Sequence, residues 1–225
     1  EMRVYVNGAL AASKRAPSAP WNPTSPFVLG GVKTTLNCSG AGTGYYSNEL
    51  TGMVDEIAFY RRPLTAAEIR AIYLAGASGK CPASSPACSP AGLVSWWPGD
   101  GHGRDVISLH DGLLWNGAAY ATGKVGQAFE LDGFDDYVEV EDSADLSPSS
   151  ITVDAWVLPD TLDRALTIAS KYDTTSGSRQ VSWLLNVEPE GRVRFDVYGK
   201  EAWSTWRVIR STSPVLTAGQ WHHVT

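Results

Sequence analysis

The stretch from residue 92 to residue 140 limits the fold more than any other part of the chain. It opens with GLVSWWPGDG and closes with FELDGFDDYVEV. Leu93, Val94, Trp96 and Trp97 run into a Pro-Gly-Asp-Gly break, while Tyr137, Val138 and Val140 follow Asp132, Gly133, Asp135 and Asp136. Short apolar runs bounded by such breaks read as strands joined by tight acidic turns. Asp and Gly gathered at strand ends also suit a hard cation.

The same grammar runs through the rest of the chain. In EMRVYVNG, Met2, Val4 and Val6 alternate with Arg3 and Tyr5, and Asn7-Gly8 predicts a type I′ hairpin returning over residues 9–13. A loop with Pro17, Pro20, Pro23 and Pro26 leads to FVLGG, a short buried strand, and residues 37–48, with Tyr45 and Tyr46, read as a surface loop. Over residues 50–60, Met53, Ile57 and Phe59 share one face that Asp55 interrupts. A carboxylate there needs a partner or a cation, unless it sits at a solvated edge. Residues 64–76 carry the signals of a helix: Thr65 as N-cap, Glu68 closing a capping box, Leu64 and Ile69 as a staple, and Gly76 as the stop. Its buried face is Ile69, Ile72 and Tyr73. Residues 77–90 have linker composition, nearly all Gly, Ser, Ala and Pro. Strand patterns resume at 151–157 and 166–171. Residues 181–187 pair through Glu-Pro-Glu-Gly with 192–198, where Val193, Phe195 and Val197 face one way, and QWHHVT at 220–225 reads as part of a further strand.

A formal charge of −6 and a pI near 5.2, with no basic stripe, argue against a nucleic-acid or anionic-membrane partner. No apolar run is long enough to insert in a membrane as a helix. Cys38, Cys81 and Cys88 lack zinc-ligand spacing; CPASSPAC admits either a loop-closing disulfide or free thiols. Nine Trp and nine Tyr offer flat faces with hydrogen-bonding edges, suited to stacking on a sugar ring or to filling a sandwich core.

Four segments in order, GLVSWWPGDG, GKVGQAFELDGFDDYVEV, ITVDAWVLP and GQWHHV, resemble the laminin-G-like, concanavalin A-like domains found as repeats in large secreted bacterial proteins. VYVNG, FVLGG and GMVDEIAFYRRPLTAAEIRAIY are similar to the closing half of the same domains. The resemblance implies an all-β, antiparallel jelly-roll β-sandwich with one short helix, in an extracellular, secreted or cell-surface setting. It divides the chain into residues 1–80, the C-terminal half of one repeat, a Pro/Ser/Ala linker at 81–90, and residues 91–225, the N-terminal part of the next. Because the first and last strands of such a domain lie side by side, the halves are expected to close on each other as a circular permutant.

The resemblance also implies a structural calcium site built from Asp100, backbone oxygen at Gly133, and Asp55, with Asp105, Asp132, Asp135 and Asp136 in reserve. The alternative is an acidic turn held by backbone amides without metal. For a polysaccharide or surface glycan the candidates are Trp203, Trp206, Tyr198 and Trp183, beside Asn186 and Arg207, with core or edge packing as the other reading. The run Glu139-Val140-Glu141-Asp142 comes nearest to the Glu-x-Asp-x-x-Glu set of related glucanases but has no acid at the motif's last position. No nucleophile elbow is present, and His222-His223 belongs to a core strand in the family. The expected function is therefore a non-catalytic carbohydrate-binding or adhesion module. The alternatives are a calcium-binding spacer touching neighbouring repeats and a divergent glycoside hydrolase.

Overall fold

Asn7 and Gly8 take φ of 51° and 74°, the left-handed values a type I′ turn requires. They fold strand β1 (Met2–Val6) onto β2 (Ala9–Lys14). In the computed structural model the described residues are 1–15, 20, 24–34, 45–80, 91–175, 180–199 and 206–225. Strands β3 (Phe27–Leu29), β4 (Val32–Thr34), β5 (Tyr45–Ser47) and the long β6 (Thr51–Tyr60) precede helix α1 (Ala66–Ala75). Next come β7 (Leu93–Trp97), β8 (Gly112–Trp115), β9 (Ala119–Thr122), β10 (Gln127–Asp132) and β11 (Tyr137–Val140). The last group is β12 (Thr152–Pro159), β13 (Leu166–Asp173), β14 (Gln180–Glu188), β15 (Arg192–Val197), β16 (Arg207–Arg210) and β17 (His222–Val224).

These strands form two sheets packed face to face. The first runs β2-β1-β17-β12-β6-β10-β9, with β7 also on β6; the second runs β16-β15-β14-β13-β3-β11-β8, with β4 on β13 and β5 on β4. Strands from before and after residues 81–90 interleave in both sheets. β6 lies between β12 and β10, β3 between β13 and β11, and β1 beside β17. Tyr5 N donates to Thr225 O at 2.8 Å, and Thr225 N to Tyr5 O at 3.0 Å. The expected closure of the two segments into one sandwich is therefore present, and all described pairings but β4 on β13 are antiparallel.

Aromatic rings fill the centre between the sheets. Phe27 stacks on Trp97 at 5.0 Å and meets Phe59 and Trp183 edge-on at 5.9 and 5.4 Å. Each such ring, fully buried, contributes about 2–3 kcal/mol of transfer free energy. A second cluster of Tyr5, Ala58, Tyr60, Leu64, Ile69 and Trp96 lies on the outer side of the first sheet. Ile69, the buried residue of α1, joins it there. The helix begins as the sequence predicts: Thr65 Oγ1 accepts from Glu68 N at 3.3 Å while Glu68 Oε2 accepts from Thr65 N at 2.8 Å. Leu64 precedes the cap, which makes the helix shorter than the 64–76 span.

Two expectations change. Residues 45–47 form a strand rather than a loop, with Lys33 opposite Tyr46. In β6, Glu56 takes φ 55° where the register against β12 shifts, so Val54 and Ile57 both point into the core. This bulge puts Asp55 with Met53 on the outer face. Asp55 does not break an apolar stripe, and at 0% exposure it is not at a solvated edge either. Cys38, Cys81, Cys88, Trp203 and the 81–90 linker lie outside the described residues.

Candidate functional site

Asp55 and Asp100, from opposite sides of the linker, grip one turn. Asp55 Oδ2 accepts from Val125 N and Asp100 Oδ1 from Gln127 N, each at 2.8 Å. Glycines make the grip possible, because a Cβ at Gly123 would lie 2.7 Å from Asp55 Oδ2 and one at Gly126 2.1 Å from Asp100 Oδ1. Burial pushes the Asp55 carboxyl up to about 7, with the Val125 amide opposing that rise and the Glu56 charge adding to it. Its Oδ1 has no partner. Gly133 follows the far end of β10 from this turn, and its carbonyl accepts from Arg164 Nη2 at 2.6 Å. The predicted set of Asp55, Asp100 and Gly133 thus comes together as a pair of acids without the third oxygen.

Behind Asp55 lies a buried ion cluster that the sequence did not reveal. Asp154 on β12 pairs with Lys80 Nζ at 3.3 Å and His223 Nε2 at 3.1 Å. Lys80 also reaches Glu56 Oε2 at 3.7 Å and the Glu56 carbonyl. Burial raises the Asp154 carboxyl, but Lys80 and His223 outweigh it and hold the group below its ordinary value; Glu56 is pushed up by burial. His223 accordingly serves an internal pair on the outer side of the first sheet. Lys80, the last residue of the helix-bearing segment, supplies the cation.

The reserve acids separate into two roles. Asp105 Oδ1 accepts from Trp96 N and Ile107 N, both at 3.0 Å, and so closes a structural turn. Asp132, Asp135 and Asp136 offer three ligand oxygens within 4.8 Å of one another. Two of them already serve amides: Phe134 N donates to Asp132 Oδ1 at 2.8 Å, and Gly117 N and Asp132 N donate to Asp136 at 2.6 and 3.0 Å. Burial and the two neighbouring acids raise the Asp135 carboxyl. Adjacent hard oxygens with mutual repulsion are a donor set that fits calcium chemically, and these are the residues that would hold it.

The aromatic candidates also divide. Trp183 is 1% exposed and packs on Phe27, Phe59 and Phe195. It is a core residue, because the β14 side chains that share its parity face the opposite sheet. Tyr198 stacks on Trp206 at 6.0 Å and 10°, Tyr172 meets Tyr198 edge-on at 6.1 Å, and the Arg194 guanidinium lies 5.6 Å from the Trp206 ring centre. Arg194 in turn holds Asp196 at 2.8 Å through both Nε and Nη2. Burial raises the Asp196 carboxyl against the pull of Arg194 and of the Trp206 side chain. Across the same outer face, Trp115 on β8 stacks on Tyr137 of β11 at 6.0 Å and 14° and is 44% exposed. The residue after it ties this ring to the acidic turn, since Asn116 Nδ2 donates to Asp135 O at 2.5 Å. Trp115 escaped sequence reasoning because nothing local marks which face of a four-residue strand is outward.

Glu139 pairs with Lys33 at 3.2 Å, and Asp142 with the wholly buried Lys171, whose ammonium also donates to Ser25 O at 2.6 Å. These acids are engaged by lysines.

Two largely antiparallel sheets packed face to face, with one short helix, define a jelly-roll β-sandwich. A model of the concanavalin A-like lectin/glucanases superfamily matches residues 1–70 and 132–225, and the chain belongs to that family. No curated protein and no solved structure matches it. The superfamily name covers both sugar binders and glucanases. No helix among the described residues is long and apolar enough to cross a membrane.

Proposed function

We propose that this chain is a non-catalytic carbohydrate-binding module of an extracellular protein, and that it engages a polysaccharide or surface glycan on the outer face of the second sheet. The observation that carries the reading is the half-exposed Trp115 ring, stiffened from behind by Tyr137 and tied through Asn116 to the Asp132–Asp136 turn. A fixed aromatic plane beside carboxylates is what stacking on a pyranose and hydrogen bonding to its hydroxyls demand. Trp206 and Tyr198 form a second aromatic position, more enclosed because Arg194 also lies against the indole.

Calcium, bound by Asp132, Asp135 and Asp136, would neutralise the acidic turn to which Asn116, the residue after Trp115, is tied. Residues 1–80 and 91–225 are read as the closing and opening parts of two like repeats; their strands interleave in both sheets, with register shifts where β6 meets β12 and β7.

Affinity electrophoresis in gels containing β-glucan, xylan or galactan tests the function. Retardation that falls at least severalfold in Trp115→Ala but survives in Trp97→Phe is expected. A chain not retarded on any glycan, yet melting higher with calcium, would overturn sugar binding in favour of the spacer reading. Release of reducing sugar abolished by Glu139→Gln would overturn the non-catalytic assignment.

A further inference from the structure

The buried cluster on the outer side of the first sheet presses one primary amine against two carboxyls. Lys80 Nζ lies 3.3 Å from Asp154 Oδ2 and 3.7 Å from Glu56 Oε2, and the side chains of Lys80, Asp154 and Glu56 are 7%, 0% and 3% exposed. The lysine is fixed at both ends: its backbone N donates to Glu56 Oε2 at 3.1 Å, and Nζ donates to the Glu56 carbonyl. The acids are fixed as well, because β6 and β12 are paired neighbours with Asp154 opposite Ala58. From the helix, the Tyr73 ring packs 6.3 Å from that of His223.

The two oxygens of Asp154 differ. Oδ2 meets Lys80 and, at 3.1 Å, His223 Nε2. An ionised carboxylate only accepts hydrogen bonds, so the hydrogen of His223 sits on Nε2, and its Nδ1 has no partner. Asp154 Oδ1 is buried with no partner either. A charged pair shut off from water pays a desolvation cost for each ion, and an orphaned carboxylate oxygen adds to it. Joining the amine to the carboxyl as an amide removes both charges and the orphaned oxygen together.

We propose that Lys80 and Asp154 are the site of a self-formed isopeptide bond, with Glu56 carrying the proton and His223 holding the oxygen that remains. As folded the pair is ionic. Its reactive form is the proton tautomer, a neutral amine beside a carboxylic acid, which a dry site favours over separated charges. Nζ attacks Asp154 Cγ, and the C=O electron pair moves onto Oδ2, where the His223 N–H stabilises it. Glu56 takes the proton that Nζ sheds and passes it to the Oδ1 hydroxyl, which leaves as water while the C=O re-forms at Oδ2. One N–C bond forms, one C–O bond breaks, and nothing is oxidised or reduced. Holding the two groups in contact supplies the entropy that a bimolecular condensation lacks. The bond ties the helix-bearing segment to β12 across residues 81–90, and the inference does not depend on the sugar-binding reading.

The test follows the intact mass of the 225-residue chain, freshly purified and after days at neutral pH. The mass is expected to fall by that of one water, and a tryptic digest should contain a branched peptide joining Lys80 to Asp154. Lys80→Arg keeps the positive charge but should hold its full mass. Glu56→Gln, which cannot carry the proton, should lose water about a hundredfold more slowly. Circular dichroism checks that both variants fold; should either fail, the branched peptide of the parent chain decides alone. A parent that keeps its full mass, a loss of water that persists in folded Lys80→Arg, a branch between other residues, or folded Glu56→Gln condensing as fast as the parent would each overturn the proposal.

Discussion

Asp55→Asn is the most informative single change, because it removes a charge from a position that the fold has stripped of water. In the folded chain the Asp55 carboxyl titrates near 7 rather than at its ordinary 3.8. The folded state therefore binds more protons than the unfolded one between those values, and stability falls as pH rises through that window. The full contribution is present below about pH 4 and lost above about pH 7. The difference corresponds to about 4 kcal/mol at 1.36 kcal/mol per unit of pKa, a ceiling that polarisable surroundings reduce toward about 2 kcal/mol. Asparagine keeps an oxygen for Val125 N, but its amide nitrogen meets no partner where Oδ1 now has none, a pH-independent cost of about 1–3 kcal/mol. The slope is thus the quantity to read. Urea unfolding of both proteins from pH 4 to pH 8 should show the variant gaining about 2–4 kcal/mol relative to the parent as pH rises. Glu56 and Asp154 are common to both chains, so their titration largely cancels, apart from the Asp55–Glu56 repulsion that the substitution removes. A difference flat to within about 0.5 kcal/mol over that range would refute the reasoning.

Lys80→Met should cost about 3–5 kcal/mol by leaving Asp154 and Glu56 buried without their ammonium, and adding Asp154→Asn should recover part of the loss in thermal melts. Trp183→Ala should destabilise by about 3–5 kcal/mol through the cavity it leaves, while glycan retardation, measured below the lowered melting temperature, stays unchanged. Thr65→Ala removes the hydroxyl that accepts from Glu68 N and should lose about 1 kcal/mol in urea unfolding.

Much of the architecture was legible because its signals are local. Asn7-Gly8 can hardly be anything but a tight hairpin, and Thr65 with Glu68 announces a helix start through two reciprocal bonds. The match between the two segments was legible from the order of their strand motifs. What stayed hidden is decided by partners distant in sequence. Asp55 changed faces because Glu56 takes a left-handed conformation against β12, a bulge that alternation alone cannot show. Trp183 was open between a sugar contact and core packing, and the alternation of Val181, Trp183, Leu185 and Val187 with Ser182, Asn186 and Glu188 along β14 already favours the core. Gly133 was grouped with Asp55 and Asp100 although β10, 6 residues long, holds it about 20 Å away at 3.3 Å per residue. Lys80 looked like a linker residue until Asp154 and Glu56 were seen beneath it.

The interleaving of strands from the two sides of residues 81–90 dictates how this polypeptide acquires its shape. β6 has no neighbour of its own segment in the sheet, and β3 none in the other. At ribosomal speeds of about 5–20 residues per second, β6 waits about 2–7 seconds for β7 and β3 about 6–22 seconds for β11. During that interval their edges are exposed to any passing chain, and nascent copies on one messenger can exchange segments before each closes on itself. Slow, concentration-dependent maturation is written into the order of the strands.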